Sequence, residues 1–475
     1  MNQLLILPVI LPAILAGVII LVARNALNAQ RAISILGTLA LLALAITLIQ
    51  APTQAYFLGN WPAPFGIALT LDRLSALMLL LTASLALIIL IHTIRTGWDT
   101  KGRHFHALYL FQLMGLNGAF LTGDAFNLFV FFEVLLIASY GLMVHGGSEA
   151  RIRAGVQYVA FNLLGSTLFL FALATIYSTT GTLNMADLAQ KLPLIPAGDT
   201  ALIRVAAVLL MLVFAVKAAL VPLQFWLPGT YANAPGPVAA LFAVMTKVGA
   251  YALIRFGTLV FPTDLPATAT LIAQMLYPAA LATIAVGALG SLGTRTLPRQ
   301  IAFAAIGSMG TLLLAVSAFT PEATSAALYY LLHSTLATAA LFLIADLARS
   351  RRDGLTAALY MAAAIAMAGM PPLSGFVGKL LILDALRADP MAWTAILLAS
   401  LLTMIGFARQ GSDLFWKSPG TGAPAGSKAA ILLCLAALTA LTVAAGPITQ
   451  YLTLTADALH HPTAYIAANQ LGGTE

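Results

Sequence analysis

The sequence has very few charged residues. Asp, Glu, Lys and Arg make up 8% of its 475 residues, whereas they make up about a quarter of an ordinary soluble domain. Hydrophobic residues account for 61%, and apolar runs of about 18 residues or more, each long enough to cross a hydrocarbon core, recur from end to end. No segment is long and polar enough to form a separate soluble domain. The composition therefore excludes a soluble protein and predicts an all-α polytopic membrane protein.

Cysteine is also scarce. The one cysteine, Cys434, cannot form an internal disulfide and cannot supply the ligands of an iron–sulfur cluster. No His, Cys or carboxylate cluster accompanies the lysines of the apolar runs, so we expect no metal site and no bound cofactor. The net charge of +7 is spread over short loops without a continuous basic patch, which argues against nucleic acid as a partner.

Hydropathy predicts fourteen membrane spans. They lie at residues 4–22, 32–50, 72–94, 106–121, 124–144, 154–178, 201–228, 236–261, 268–293, 298–318, 323–347, 355–386, 390–409 and 428–450. The first run lacks the basic region and cleavage site of a secretory signal, so we expect it to stay as the first span. The proline-rich segment 51–71 predicts an ordered turn or hairpin, and residues 185–192 predict a short amphipathic helix at the outer surface.

The basic residues indicate the orientation of the chain in the membrane. Lys and Arg concentrate in the loops after the odd-numbered spans, whereas the loops after the even-numbered spans hold little beyond Lys191 and Arg387. The positive-inside rule then predicts both termini outside. Four tryptophans near predicted span ends agree with this frame, because the indole ring favours the headgroup region: Trp98, Trp226, Trp393 and Trp416.

A few ionisable side chains fall near span centres, where a lysine costs about 2.5 to 3.5 kcal/mol. They are Glu133, Lys217, Lys247, His333 and Lys379, in spans 5, 7, 8, 11 and 12. Burial disfavours the charged form of a lysine and a nearby carboxylate favours it. If Glu133 lies close to Lys217, moving the two apart would release the lysine's proton towards the next acceptor. The pattern predicts a proton relay.

Structural roles are alternatives for each of these residues. Glu133 and Lys217 could form a static ion pair, Lys247 could be structural although it is too central to reach water easily, and a neutral His333 could donate to a neighbouring carbonyl. Lys379 could pair with Asp384, although five residues is poor helical spacing. Small hydroxyl residues could hold water along the relay or simply pack the helices: Ser139, Thr246, Ser334, Thr335 and Ser374.

Two predicted spans are interrupted by proline. Pro222 follows Lys217 by five residues, and "GMPPLSG" at 369–375 precedes Lys379, so both helices should lose backbone hydrogen bonds and expose carbonyls. Spans 7 and 12 are five apart and cross in opposite directions, as expected if spans 4–8 and 9–13 are inverted repeats. The predicted division is then 1–105 (helices 1–3), 106–261 (first repeat), 268–409 (second repeat) and 428–475 (helix 14 and tail).

Four stretches resemble a known family. They are "FFEVLLIASYGL", "KAALVPLQFWLPGTYANAPGPVAALFAVMTKVGAYALIRF", "YYLLHSTLATAALF" and "MPPLSGFVGKLLIL". They resemble the antiporter-like membrane subunits shared by multisubunit Mrp (Pha) cation/proton antiporters, respiratory complex I and membrane-bound hydrogenases, over roughly residues 60–410. The resemblance implies fourteen helices, inverted five-helix repeats and a charged chain along the midplane. The histidine in "LLHST" and the lysine in "SGFVGKLLIL" look most like the D branch of the Mrp-type antiporters.

The resemblance also implies roles for the charged residues. Glu133 looks like the span-5 glutamate and Lys217 the span-7 lysine, which together form a switchable pair. Lys247 looks like the central carrier, and His333 would pass protons to the terminal Lys379.

The function implied is that of a proton-translocating subunit of a Na⁺ or K⁺/proton antiporter in the bacterial cytoplasmic membrane, a transporter and not an enzyme. It would be driven by the proton motive force without an organic cofactor. Its expected partners are a large A-type antiporter-like subunit and several small membrane subunits. The alternatives are a membrane-arm subunit of a redox complex, whose flavin and clusters would belong to other subunits, and a scaffold with static buried ion pairs.

Overall fold

The computed structural model describes residues 2–348, 353–416 and 428–471, which are mostly helical. Two short strands, β1 (Gln54–Phe57) and β2 (Ala68–Leu71), accompany helices numbered in chain order. The helices are α1 (Leu7–Leu21), α2 (Leu27–Leu48), α3 (Arg73–Thr96), α4 (Phe105–Leu121), α5 (Ala125–Met143), α6 (Glu149–Thr180), α7 (Met185–Lys191), α8 (Ala201–Ala218), α9 (Trp226–Asn233), α10 (Gly236–Arg255), α11 (Leu271–Gly293), α12 (Leu297–Val316), α13 (Pro321–Leu347), α14 (Gly354–Ala368), α15 (Ser374–Ala385), α16 (Pro390–Phe415), α17 (Ala429–Val443), α18 (Ala445–His460) and α19 (Thr463–Ala468).

The apolar helices occupy the positions of the predicted spans. Within the described residues, eleven helices are long and apolar enough to cross a membrane, and twelve if the bent pair α17 and α18 counts as one span. Helices α4 and α14 are apolar but shorter, at 17 and 15 residues. The number fourteen therefore stays a prediction. The span predicted at 428–450 covers α17 and the start of α18, and these two helices meet at a bend of 79° that the prediction did not include.

Helix ends follow from local capping. Asp72 accepts a hydrogen bond from the Ser75 backbone at the start of α3, and Gly97 ends that helix in the left-handed conformation that glycine adopts without strain. Asp124 caps α5 in the same way by accepting from the Asn127 N–H. These caps satisfy backbone donors that have no partner within the helix.

The loop segments agree with their predicted character. Strands β1 and β2 form an antiparallel hairpin in which Gln54 faces Leu71 and Phe57 faces Ala68, so the hairpin predicted in 51–71 is confirmed. Helix α7 forms where the short amphipathic helix was expected, with Asn184 as its cap. Its Leu188 side chain is fully buried, so the apolar face of α7 packs against the bundle.

The chain is interrupted at both proline sites. Helix α8 ends at Ala218, Ala219 is left-handed with φ of 55°, and α9 starts only at Trp226. The backbone of this break finds external partners, because the Val221 N–H donates to Thr283 at 2.9 Å and the Trp226 indole donates to the Val216 carbonyl at 3.1 Å. Helix α14 ends at left-handed Gly369, and α15 starts at Ser374.

Two helices form the centre of the bundle. In both α10 and α13, every residue of an apolar stretch long enough to span a membrane is buried inside the protein. Helix α10 packs against α13, α8 and α3, and α13 also contacts α12, α15 and α18. Since α10 carries Lys247 and α13 carries His333, these side chains lie away from the lipid-facing surface.

Some residues used in the sequence predictions lie outside the described residues. They are Arg349, Arg351, Arg352 and Lys417, which contribute to the predicted orientation, and positions 472–475 of the predicted C-terminal tail.

Candidate functional site

Glu133 and Lys217 are connected through helix α6. The Ser166 hydroxyl contacts both the Glu133 carboxylate and the Asn162 backbone carbonyl, the latter at 3.0 Å. The Lys217 ammonium donates to the Asn162 side-chain oxygen at 3.1 Å. Among the described residues no direct ion pair within 4 Å joins Glu133 to Lys217. The pair that the sequence predicted is therefore mediated by two polar side chains one helical turn apart.

Lys217 lies in the last turn of α8, directly before the break. Its ammonium is 5.8 Å from the centre of the Phe132 ring, within the range of a cation–π contact. A small cavity of about 10 Å³ adjoins it, lined by Asn162, Tyr158, Trp226 and apolar side chains; this volume is at the lower limit for one water molecule. The Tyr158 hydroxyl bonds Ser139 at 2.9 Å, so Ser139 lies next to this site.

Lys247 is the central charged group and is 2% exposed. The one hydrogen-bond partner of its ammonium among the described residues is the Met309 sulfur, at 3.0 Å. A thioether is a weak acceptor, and an ammonium has three donors. Lys247 therefore has capacity for further acceptors such as water.

His333 contacts the second helix break. Its Nδ1 lies 3.0 Å from the Ser374 hydroxyl at the start of α15, and the ring is buried. Gly375 allows this approach, because a Cβ there would lie 2.8 Å from His333 Nε2. A hydroxyl of the interrupted helix is thus one partner of His333, and this contact joins α13 to α15; the ring also hydrogen-bonds the Ala366 backbone at the end of α14.

Lys379 uses a carbonyl that the break exposes. Its ammonium donates to the Ala368 carbonyl at 2.8 Å and to the Ser400 hydroxyl at 2.7 Å. The alternative pairing with Asp384 is not formed among the described residues. A cavity of about 20 Å³ beside Lys379 is lined in part by Ser308, Thr311 and Thr403, which gives room and polar partners for a water molecule.

The structure groups the predicted residues into separate hydrogen-bonded units. Glu133 and Lys217 form one unit, His333 with Ser374 a second, and Lys379 with Ser400 a third. No hydrogen bond among the described residues connects Lys217 to Lys247 or Lys247 to His333. A proton path along the whole row would therefore need water between the units.

Sequence reasoning missed three contributors: Asn162, Ser166 and Ser400. Two polar residues four apart in the apolar span "YVAFNLLGSTLF" are a usable signal, since positions i and i+4 share a helix face. Ser400 gave none. Of the hydroxyl residues considered from the sequence, Ser139 and Ser374 bond other side chains of the site. The remaining three bond backbone carbonyls of their own helices: Thr246, Ser334 and Thr335.

The described residues contain no group of three His, Cys, Asp or Glu side chains that could hold a metal ion. The units above are built from ammonium, carboxylate, amide, imidazole and hydroxyl groups. Such groups exchange protons and hydrogen bonds, so proton transfer is the chemistry that the arrangement can support.

Comparison with known proteins gives consistent matches. The family model described as "NADH:quinone oxidoreductase/Mrp antiporter, TM" matches residues 122–406. The D subunit of a probable K(+)/H(+) antiporter of Rhizobium meliloti (strain 1021) is 38% identical, over 97% of this chain and 96% of that protein. The D subunit of a Na(+)/H(+) antiporter of Alkalihalophilus pseudofirmus is 39% identical, over 98% and 99%. A chain of the solved Mrp complex from Dietzia sp. DQ12-45-1b has a TM-score of 0.90 and 28% identity, over 99% and 100%.

Proposed function

The chain belongs to the NADH:quinone oxidoreductase/Mrp antiporter family of membrane subunits, and from this premise we propose that it is the D-type, proton-translocating subunit of a multisubunit Na⁺ or K⁺/proton antiporter. Relatives that align over nearly the whole chain are named antiporter D subunits, for K⁺ in one case and Na⁺ in the other. The observation that carries the mechanism is the hydrogen-bonded unit of Glu133, Ser166, Asn162 and Lys217 beside a broken helix.

The first step takes place in this unit. Asn162 holds the Lys217 ammonium while Ser166 holds the Glu133 carboxylate. Lys217 is two residues from left-handed Ala219, where α8 stops, so a small movement of this helix end would displace its ammonium from Asn162. Separation from the carboxylate disfavours the charged form and drives the proton towards Lys247.

The second half completes the transfer. Lys247 passes the proton through water to His333, whose Ser374 contact places the imidazole against the second break. Lys379 is the terminal acceptor, and the Ala368 carbonyl and Ser400 hydroxyl stabilise its ammonium. The two breaks, near Lys217 and Lys379, support the proposed inverted repeats of helices 4–8 and 9–13 in a fourteen-helix chain.

The surface of α5 supports the proposed assembly. Phe126, Val130 and Ile137 are exposed by 47%, 38% and 64%, and they share a helical face with the partly exposed Glu133. A carboxylate facing lipid is costly, so a neighbouring membrane subunit would be expected to cover this face. The proposed partners are a large A-type subunit and several small subunits in the bacterial cytoplasmic membrane, with both termini outside.

Mass spectrometry of the intact complex, purified through a tag on this chain, tests the assignment. We expect a second large antiporter-like subunit and several small membrane subunits. Recovery of iron–sulfur or flavin proteins would instead favour the redox-complex alternative, which the family description also covers. In that case electron transfer would drive the same relay.

Flux measurements test the mechanism. In vesicles containing the assembled complex, Lys217→Ala should abolish cation-dependent proton flux. Lys191→Ala removes an equivalent charge from an exposed lysine that pairs with Asp187 within α7, and it should leave flux unchanged. Normal flux through the Lys217 variant would overturn the assignment of Lys217.

A further inference from the structure

A buried carboxylate–imidazole pair lies at the end of the bundle where α3 and α13 finish and α10 begins. His92 Nε2 is 3.1 Å from Asp346 Oδ2, and the Trp98 indole donates to the same oxygen at 2.9 Å. The side chains of His92 and Asp346 are 0% and 6% exposed. None of these residues belongs to the midplane row, and we refer to His92, Trp98 and Asp346 as the Trp98 cluster.

His92 has an unused proton-binding atom. When Nε2–H donates to Asp346, Nδ1 is a bare acceptor, and among the described residues this buried nitrogen has no hydrogen-bond partner. A buried polar atom normally has one. A proton added at Nδ1 would give an imidazolium that still donates from Nε2 to the Asp346 carboxylate.

The cluster is directly connected to the helices of the relay. Gly236, the first residue of α10, packs so closely on Asp346 that a Cβ there would lie 2.3 Å from the Asp346 Cβ. Lys247 follows on α10, eleven residues beyond Gly236, or about 16 Å along the axis. Asp346 also shares α13 with His333. The helices that hold the cluster therefore lead to the midplane.

Unpartnered hydroxyls lie on α3 and α13 between the Trp98 cluster and the midplane. Thr338 Oγ1 on α13 and Thr82 Oγ1 on α3 are buried without hydrogen-bond partners among the described residues. Thr338 is eight residues from Asp346 and Thr82 is ten from His92, which corresponds to about 12 and 15 Å. A buried hydroxyl without a partner can bind a water molecule where there is room for one, so α3 and α13 each carry a polar position between the Trp98 cluster and the midplane.

We propose that His92 and Asp346 form a proton-loading site that exchanges protons between the aqueous side at the Trp98 end and Lys247. This inference rests on the proposed function. In the loading step, neutral His92 gains a proton at Nδ1. In the transfer step, that proton moves through water between α3, α10 and α13 to the neutral amine of Lys247, and His92 returns to its neutral form. No electrons and no second reactant are involved.

The surrounding charges contact Trp98 and its neighbours. Lys101 lies 3.6 Å from the centre of the Trp98 ring and Arg151 lies 5.4 Å from it, while His145 contacts the Trp98 carbonyl at 2.8 Å. The adjacent Asp99 is paired with Arg31 and His106. On α3 itself, Arg95 is exposed. Lys428, directly before α17, pairs with Asp353. Helix α10 has no charged residue before Lys247. Asp346 is thus the carboxylate nearest to His92 in this arrangement.

The test measures proton flux in vesicles that contain the assembled complex, while the pH is varied only on the side of the Trp98 end. We expect Asp346→Asn and His92→Gln to slow flux by about tenfold or more and to change its dependence on the pH of that side. Asp346→Glu should restore part of the rate. Asp353→Asn is the matched control, because it removes a carboxylate from the same end that pairs with Lys428.

The outcomes separate the two proposals. Wild-type rates and pH profiles in both Asp346→Asn and His92→Gln, with Lys217→Ala inactive, would overturn the loading site alone. Full activity of Lys217→Ala would overturn the relay itself. Co-purification of the other subunits is checked for each variant, and His92→Gln serves if Asp346→Asn does not assemble.

Discussion

Ser166 has one hydroxyl proton and two acceptors within reach, the Glu133 carboxylate and the Asn162 carbonyl. Charged residues in apolar runs are conspicuous, so the sequence could predict Glu133 and Lys217. It could not predict that Asn162 and Ser166 connect them, because an amide or hydroxyl is ordinary in a membrane helix and its partner depends on helix packing. For the same reason Ser400 beside Lys379 was not predictable.

We predict that Ser166→Ala slows cation-dependent proton flux by about tenfold. The substitution leaves the Glu133 carboxylate without its hydroxyl donor, and a hydrogen bond to a charged group contributes about 1.5–3 kcal/mol. Thr167→Ala is the matched control, because this neighbouring exposed hydroxyl bonds only the Leu163 carbonyl of its own helix. Equal rates for the two variants in the vesicle assay would show that Ser166 does not couple Glu133 to Lys217.

Helix breaks are the elements on which the site depends. Proline at 222 and in "GMPPLSG" predicted both of them, because proline lacks the N–H that continues a helix. The bend between α17 and α18 was missed, although Gly446 and Pro447 follow it directly. Hydropathy falls beyond this point, but no charged residue occurs before Asp457, and proline is tolerated near the start of a new helix. Composition thus predicts that a segment is apolar, whereas the position of a bend within it depends on where the backbone hydrogen bonds of the helix are interrupted.

The contact of α10 with the end of α8 predicts a stability effect. A Cβ on Gly249 would lie 2.5 Å from the Ala218 backbone nitrogen, so Gly249→Ala must push α10 away from the break beside Lys217. Overpacking of this kind costs about 1–3 kcal/mol, and we expect a lower melting temperature of the purified complex. In Gly165→Ala, the added methyl group would lie 3.5 Å from Val216, an ordinary contact that should not lower it. An unchanged melting temperature for Gly249→Ala would contradict the close approach.

In the complete bundle, the buried α10 and α13 bring together residues far apart in sequence. Asp346 contacts His92 across 254 positions, and Lys247 contacts Met309 from another helix. Hydropathy could predict that these helices cross the membrane, because it depends on local composition. It could not predict which polar ends meet, because long-range packing determines such pairs. The Trp98 cluster therefore forms only in the folded chain.

Asp99 ties three parts of the molecule together at the Trp98 end. It accepts from Arg31 of α2 at 2.6 and 3.0 Å and contacts His106 of α4 at 3.3 Å. Burial raises the pKa of Asp99, but the hydrogen bonds from His106 and Arg31 outweigh this and hold the pKa below its ordinary value of 3.8. The folded protein therefore stabilises the ionised form of the Asp99 carboxyl.

Because of this preference, acidification should destabilise the complex. The stability that Asp99 contributes should be fully present above its ordinary pKa and should be lost as the pH falls through its lower pKa in the folded state. We expect Asp99→Asn to lower the melting temperature at neutral pH and to lose less stability than the wild type on acidification. Asp264→Asn, at an exposed carboxylate, should change neither. If the melting temperatures of the Asp99 variant and the wild type fell equally as the pH was lowered, the ionised Asp99 would not be what holds α2, α4 and the Trp98 segment together.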